Sequence, residues 1–221
     1  MQGADVVVDV ANSPSWEDQA VLDFFTNSTR NLLAAEAKAG VRHHVALSVV
    51  GTDRIPDSGY MRAKVAQERE ICAGNVPYTI LRATQFLEFL DAIADFGSDG
   101  TTVRLPPVAF QPVAAEDVAA ALAQLVLERP KNGTLDLGGP ERMNMDEMIR
   151  RHLALRNDAR RTVADSAATY YGSKLLYDAL VPTGQALTAQ VRTPSGSSNT
   201  SRRPSSRSTT MRARRRSPPS Y

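Results

Sequence analysis

The chain has 221 residues, of which 42% are hydrophobic and 23% charged, with a formal charge of +2. That is enough for one folded domain with a real core, and too many apolar residues for a wholly disordered chain. No apolar run approaches the roughly 18 residues a bilayer crossing needs, and the first segment, MQGADVVVDVANSPS, has no basic start, so neither a membrane span nor a signal peptide is expected.

The charge is unevenly placed: residues 183–221 hold eight arginines and no lysine or acid, so they carry about +8 against about −6 for residues 1–182. The single cysteine, Cys72, cannot form an internal disulfide, and no Cys/His cluster has zinc-ligand spacing. A reducing cytoplasm is the expected compartment.

In chain order, ADVVVDVA (4–11) is a β-branched run ended by NSPS and reads as a buried strand entering a loop. From residue 16 to 39, Leu22, Phe25, Leu32, Leu33 and Ala37 recur at helical spacing, and Gly40 supplies a stop. HHVALSVVG (43–51) is a second apolar strand. It leads through a loop with Pro56 and Gly59 into a helix carrying Tyr60 and Lys64. PYTILRAT (77–84) is a third strand, followed by TQFLEFLDAIADF, whose aromatic and leucine positions read as core or pocket wall. PVAFQPVAAEDVAAALAQLVLER reads as a short strand, a turn and a helix with Glu116 and Asp117 at its positive end. GTLDLGG follows as a strand and NMDEMIRRHLAL as an amphipathic helix. Strands alternating with helices predict an α/β fold with a doubly wound parallel sheet. The Arg/Ser/Pro-rich stretch 183–221 lacks apolar period and is expected to be a disordered tail.

The chemistry-bearing spacing is SGYMRAK. Tyr60 and Lys64 stand four apart, so on a helix they share a face. A nearby ammonium favours phenolate and would draw a phenol of ordinary pKa near 10 toward the range useful for proton transfer. Ser48, at the carboxyl end of the preceding strand, is placed where such sheets form their ligand crevice and could hold a substrate oxygen. Ala11, Asn12 and Ser13 end the first strand at the same edge. His43 and His44, without a partner at ligand spacing, read as surface residues, and Cys72 as a packed thiol.

Taken together, VVVDVAN, TRNLLAAEAKAGV, HHVALSVVG, GYMRAK, VPYTILRATQF and PVAAEDVAAAL resemble the short-chain dehydrogenase/reductase superfamily, in its atypical or extended, NmrA-like branch. The likeness covers about residues 3–165. It implies a Rossmann-like fold, NAD or NADP as cofactor and hydride transfer to or from a carbonyl or alcohol of a small-molecule substrate. It further implies Tyr60 as acid/base, Lys64 also bonding the nicotinamide ribose, and Ser48 orienting the substrate. Ala11, Asn12 and Ser13 would lie beside the cofactor, and Ala83, Thr84, Gln85 and Phe86 near the nicotinamide.

Two departures stand out. Phe25 occupies the position where many extended relatives carry an asparagine. No glycine-rich phosphate loop follows a strand, so the sequence is read as a partial Rossmann-like domain (1–182) lacking its first βα units, with the tail 183–221 appended. A strand left at a raw edge would favour pairing with another chain, so a homo-oligomer is one expectation. A non-catalytic, NmrA-like dinucleotide-sensing regulator and an inactive fragment remain as alternatives. Nucleic-acid binding by the arginine arm is a weaker one, because no aromatic residues interleave the arginines.

Overall fold

A computed structural model describes residues 1–191. The arginine-rich residues 192–221 lie outside the described residues, and so does the greater part of the expected tail. The elements run β1 (Val6–Asp9), α1 (Asp18–Ala39), β2 (His43–Val49), α2 (Gly59–Ala73), β3 (Tyr78–Ala83), α3 (Leu90–Phe96), β4 (Thr102–Leu105), β5 (Ala109–Phe110), α4 (Ala115–Leu127), β6 (Gly133–Gly138), β7 (Met143–Asn144), α5 (Met145–Leu155), β8 (Arg161–Ala164) and β9 (Ala186–Thr188).

The main sheet is wholly parallel, in the order β1-β2-β3-β6-β9. Interior strand β2 is buried on both faces, which is why its sequence is a nearly continuous apolar run rather than an alternation. On one face, Ala46 and Ile80 pack under Leu33 of α1 and Ile71 of α2. On the other, Val45, Leu81 and Ala83 pack under Val118, Leu122 and Leu125 of α4. Helix α1 buries Val21, Phe25, Thr29, Leu33 and Glu36, a stripe that recurs about once per turn. The Glu17 side chain caps its first turn by accepting from the Gln19 and Ala20 amides, and Gly40 at φ 75° closes its last.

A second apolar core lies beyond the carboxyl edge of the sheet. Ile93 of α3, Phe110 of β5 and Met148, Ile149 and Leu153 of α5 meet Ile55, Met61 and Leu180 there. It is flanked by two small sheets, β4 with β8 and β5 with β7. Gly51 lets the two parts close: at φ 86° it turns the chain after β2, and a Cβ there would stand 1.9 Å from the Ala179 carbonyl oxygen.

Four readings need correction. Residues 183–191 are not structureless: β9 extends the main sheet by pairing with Asp136, Leu137 and Gly138 of β6, and the Val191 amide donates to Asp117. An open strand edge supplies hydrogen-bond partners that composition does not reveal. In TQFLEFLDAIADF, which forms a 3₁₀ turn and helix α3, Leu90 lies in the core as read, but Phe89 and Phe96 are 56% and 50% exposed. His43 and His44 are buried, because they lie on a strand covered by helices: His44 meets the Glu36 carboxylate at 2.9 Å, and His43 meets the Thr79 hydroxyl at 2.9 Å. Cys72 is exposed.

Candidate functional site

The carboxyl ends of the parallel strands share one edge, and the chain enters and leaves loops there. Helix α2 starts beside this edge. Ser58 caps it, its hydroxyl accepting from the Met61 amide, and Gly59 allows close approach to α1, since a Cβ would lie 1.8 Å from Asp18 Oδ1. Tyr60, Lys64 and Gln67, spaced by four and then three residues, then fall on one face of the helix.

Tyr60 lies in the first turn of α2. Its hydroxyl donates to Asn12 Oδ1 at 3.2 Å, so the loop after β1 reaches the phenol. Its ring meets Phe25 of α1 edge-on, at 5.9 Å between centroids, and Trp16 of the same loop at 5.7 Å. Burial pushes the phenol above its ordinary pKa of 10.0, which holds it protonated at neutral pH. That corrects the electrostatic part of the sequence reading: the phenol is not drawn toward phenolate.

Lys64 is almost fully buried, at 3% exposure. Its ammonium donates to the Leu47 carbonyl oxygen at 2.9 Å and to the side-chain oxygen of Gln67, and it lies 4.4 Å from the centre of the Phe25 ring. Desolvation pulls its pKa from 10.5 down to about 8, against the opposing pull of Asp9 and Glu68. Gln67, also buried, passes the contact on, donating from Nε2 to Asp9 Oδ2 at 3.0 Å. The other oxygen of Asp9 accepts from the Ala11 amide at 3.0 Å, which turns the chain toward Asn12.

Ser48 is not brought to Tyr60. Its hydroxyl donates to Glu68 Oε1 at 2.6 Å, two helical turns further along α2, and the same carboxylate takes Arg82 Nε at 2.8 Å and Arg82 Nη2. Ser48, Arg82 and Asp136 stand in register on β2, β3 and β6, so this is a polar row beneath α2. Guanidinium pairing drives Arg82 above its ordinary range, and desolvation raises Asp136. A hydroxyl held in this way braces the sheet and has no free direction toward a substrate oxygen.

The loop after β3 is built mainly from backbone bonds. The Ala83 carbonyl accepts from the Val50 amide, Thr84 Oγ1 donates to the Gln111 carbonyl at 2.6 Å, and the Gln85 carbonyl accepts from the Val113 amide. Phe86 stacks on Phe89 with centroids 5.7 Å apart. The Gln85 side-chain amide is buried, yet neither its oxygen nor its nitrogen has a partner. An orphaned donor–acceptor pair at this edge fits a polar ligand group, because a buried amide left unpaired is costly. Of the first loop, Ala11 and Asn12 are exposed, while Ser13 is buried with its hydroxyl accepting from the Ser15 amide.

No motif in the sequence marks Asp9, Trp16 or Gln67 as site residues, although Gln67 stands seven residues after Tyr60 and so on its helical face. Phe25, a departure from the family pattern, has a place in the structure, its ring meeting both Tyr60 and Lys64. A separate open depression of about 340 Å³, lined by Ser13, Pro14, Phe24 and Asn27 among others, includes neither Tyr60 nor Lys64.

Residues 1–129 match the sequence family described as NAD(P)H-binding. A curated relative, divinyl chlorophyllide a 8-vinyl-reductase, chloroplastic, of Arabidopsis thaliana, is 32% identical over 151 residues, which is 62% of this chain and 36% of that protein. The chain thus spans little more than a third of that relative's length. Among solved structures, the Bordetella bronchiseptica enzyme WbmG, in complex with NAD and UDP, matches with a TM-score of 0.62 at 16% identity, over 86% of this chain and 69% of that one. A hypothetical dTDP-4-dehydrorhamnose reductase from Sulfolobus tokodaii matches at 0.61 and 17%, over 79% and 70%. A dTDP-4-dehydrorhamnose reductase from Bacillus anthracis, in complex with NADP, matches at 0.57 and 15%, over 74% and 66%. At these identities the likeness to solved structures is one of fold.

Proposed function

The chain belongs to the NAD(P)H-binding family, and from that premise we propose that it carries the proton-transfer side of an NAD(P)-dependent oxidoreductase site, with Tyr60 as the residue that moves the proton. The observation that supports this most directly is the Tyr60 hydroxyl standing at the carboxyl edge of the sheet, bonded to Asn12 and covered by Trp16. A protonated phenol in a partly desolvated setting suits an acid that gives its proton only when charge develops on a bonded oxygen.

When bound, the dinucleotide supplies or takes the hydride. Ala11, Asn12 and Ser13 would border it on one strand end. Ala83, Thr84, Gln85 and Phe86 would do so on another, with the unpartnered Gln85 amide as the polar contact. In the direction of reduction, a carbonyl π pair moves to oxygen, the Tyr60 O–H bond breaks, and the proton passes to that oxygen. In oxidation the same atoms run in reverse. Lys64 keeps a positive charge behind Phe25 and beside the helix turn that carries Tyr60; in this arrangement it supports the phenol through packing rather than by direct contact. The substrate is a small molecule with a reducible carbonyl or an oxidisable alcohol. The name of the curated relative adds a vinyl group as a second class, since a hydride and a proton also balance across an activated alkene. The exposed thiol of Cys72, which is in no disulfide, suits a reducing, cytoplasmic setting.

The test is titration of the chain with NADH and NADPH, followed by nicotinamide fluorescence, and then turnover on carbonyl and conjugated-alkene panels. We expect Tyr60→Phe to keep cofactor affinity within about threefold and to lower turnover by about 100-fold or more. Unchanged turnover in Tyr60→Phe would remove the tyrosine from the mechanism. The second reading, a dinucleotide-binding regulator without chemistry, is favoured by the enclosure of the Lys64 ammonium, and cofactor binding with no turnover of either panel would select it.

A further inference from the structure

Five side chains form one connected arrangement at the end of β1. Tyr60 donates to Asn12; Asp9, three residues earlier, holds the Ala11 amide with one carboxylate oxygen and Gln67 with the other; Gln67 holds Lys64. Tyr60, Lys64 and Gln67 are on one face of α2, so both ends of the chain of contacts return to the same helix. Gln67 is the joint. It is 1% exposed, and it uses its donor on one charged group and its acceptor on the other.

A glutamine between an ammonium and a carboxylate is not the simplest solution for stability. A direct Lys–Asp pair would gain more Coulomb energy, and an apolar residue would avoid two polar groups in a buried site. What the amide adds is direction, because its oxygen must face the lysine and its nitrogen the aspartate. We propose that Gln67 is a positioning residue, with Asp9 as its anchor, that fixes the Lys64 ammonium against the Leu47 carbonyl and the Phe25 ring and ties it to the loop bearing Asn12. The proposal rests on the reading of Tyr60 and its loop as the reactive edge, and it makes the lysine and that loop two ends of one hydrogen-bonded unit.

The charged groups that bear on the ammonium are Asp9 from β1 and Glu68 from α2 itself; α1 presents the Phe25 ring and β2 a backbone carbonyl. Gln67→Leu keeps the approximate volume and removes both hydrogen bonds. Asp9→Asn keeps the shape and removes the charge.

The experiment is pH-dependent labelling of Lys64 by an amine-reactive reagent in the full chain, quantified by peptide mass spectrometry, with circular dichroism as a check on folding. In Gln67→Leu the Lys64 labelling rate at pH 8 should rise by about tenfold as the amine is released. In Asp9→Asn the labelling midpoint should fall by about half a unit to one unit, as a favourable opposite charge is lost. A folded Gln67→Leu protein whose Lys64 labels at the wild-type rate would overturn the proposal. Should that variant not fold, an unchanged midpoint in folded Asp9→Asn would overturn it equally. Neither readout uses cofactor, so failure of the wild type to bind NADH or NADPH counts against the oxidoreductase reading alone.

Discussion

Helix α2 carries two polar sites that differ in what they leave free. Near its start, Tyr60 makes one long hydrogen bond, to an exposed loop residue, and its ring is covered by a tryptophan that is itself 77% exposed. Two turns on, Glu68 takes three hydrogen bonds, from Ser48 and from two nitrogens of Arg82, within the sheet face. The first arrangement leaves a donor that a ligand oxygen can engage by displacing one amide. The second is saturated, so its value is in holding β2, β3 and α2 at fixed spacing. Lys64 lies between them in sequence and shares features of both: it is buried like Glu68 and yet linked to the loop like Tyr60.

The saturated site should show the largest stability effect. Glu68→Gln leaves Arg82 only its longer pairing with Asp53, at 3.4 Å, while Ser48 keeps an acceptor. The loss of a mostly buried ion pair, reduced because the Arg82 side chain is 20% exposed, should destabilise by about 2–4 kcal/mol, measured as the shift in urea midpoint at constant m-value. A loss below about 0.5 kcal/mol would mean that the row is no brace.

Lys64 comes next, and its effect has a sign. Its pKa in the folded chain is pulled from 10.5 down to about 8, so between those values the unfolded chain binds the extra proton and folding gains from each rise in pH. Below pH 8 both states are protonated and the difference is constant. Relative to Lys64→Met, the wild type should therefore gain about 2–3 kcal/mol between pH 7.5 and 10.5, as read from denaturant midpoints of the two proteins in parallel. A flat difference would place the ammonium in contact with solvent.

How far the sequence reached follows from which contacts are local. The alternation of apolar strands and helices gave the parallel sheet, and the four-residue spacing of Tyr60 and Lys64 placed them on one helix face, because both are short-range properties of the backbone. The partner of Ser48 is 20 residues away and the pair Glu68–Arg82 is 14 apart, so no periodicity announces them. The burial of His44 depends on Glu36 across a helix–strand contact. Strand β9 pairs with β6 some fifty residues earlier, and short apolar stretches such as QALTAQ carry little sign of that. The structure gives Ser48 a partner that its place in the sequence does not announce: a hydroxyl at the carboxyl end of a strand is well placed for a substrate only if no nearer charged group claims it, and here Glu68 does.

Ser48→Ala tests that reason with the smallest change. Removal of one buried hydroxyl leaves Glu68 with both of its Arg82 contacts, so the cost should be about 1.5 kcal/mol, the low end of the range for a hydrogen bond to a charged group. Turnover on any substrate accepted by the wild type should stay within about twofold, because the hydroxyl is committed to Glu68 and does not face the phenol. Were Ser48→Ala to lower turnover a hundredfold while stability stayed within about 1.5 kcal/mol of wild type, the serine would have to leave Glu68 when ligand binds. The rim around Tyr60 and the brace around Glu68 would then be one site that rearranges, with α2 as the element that moves.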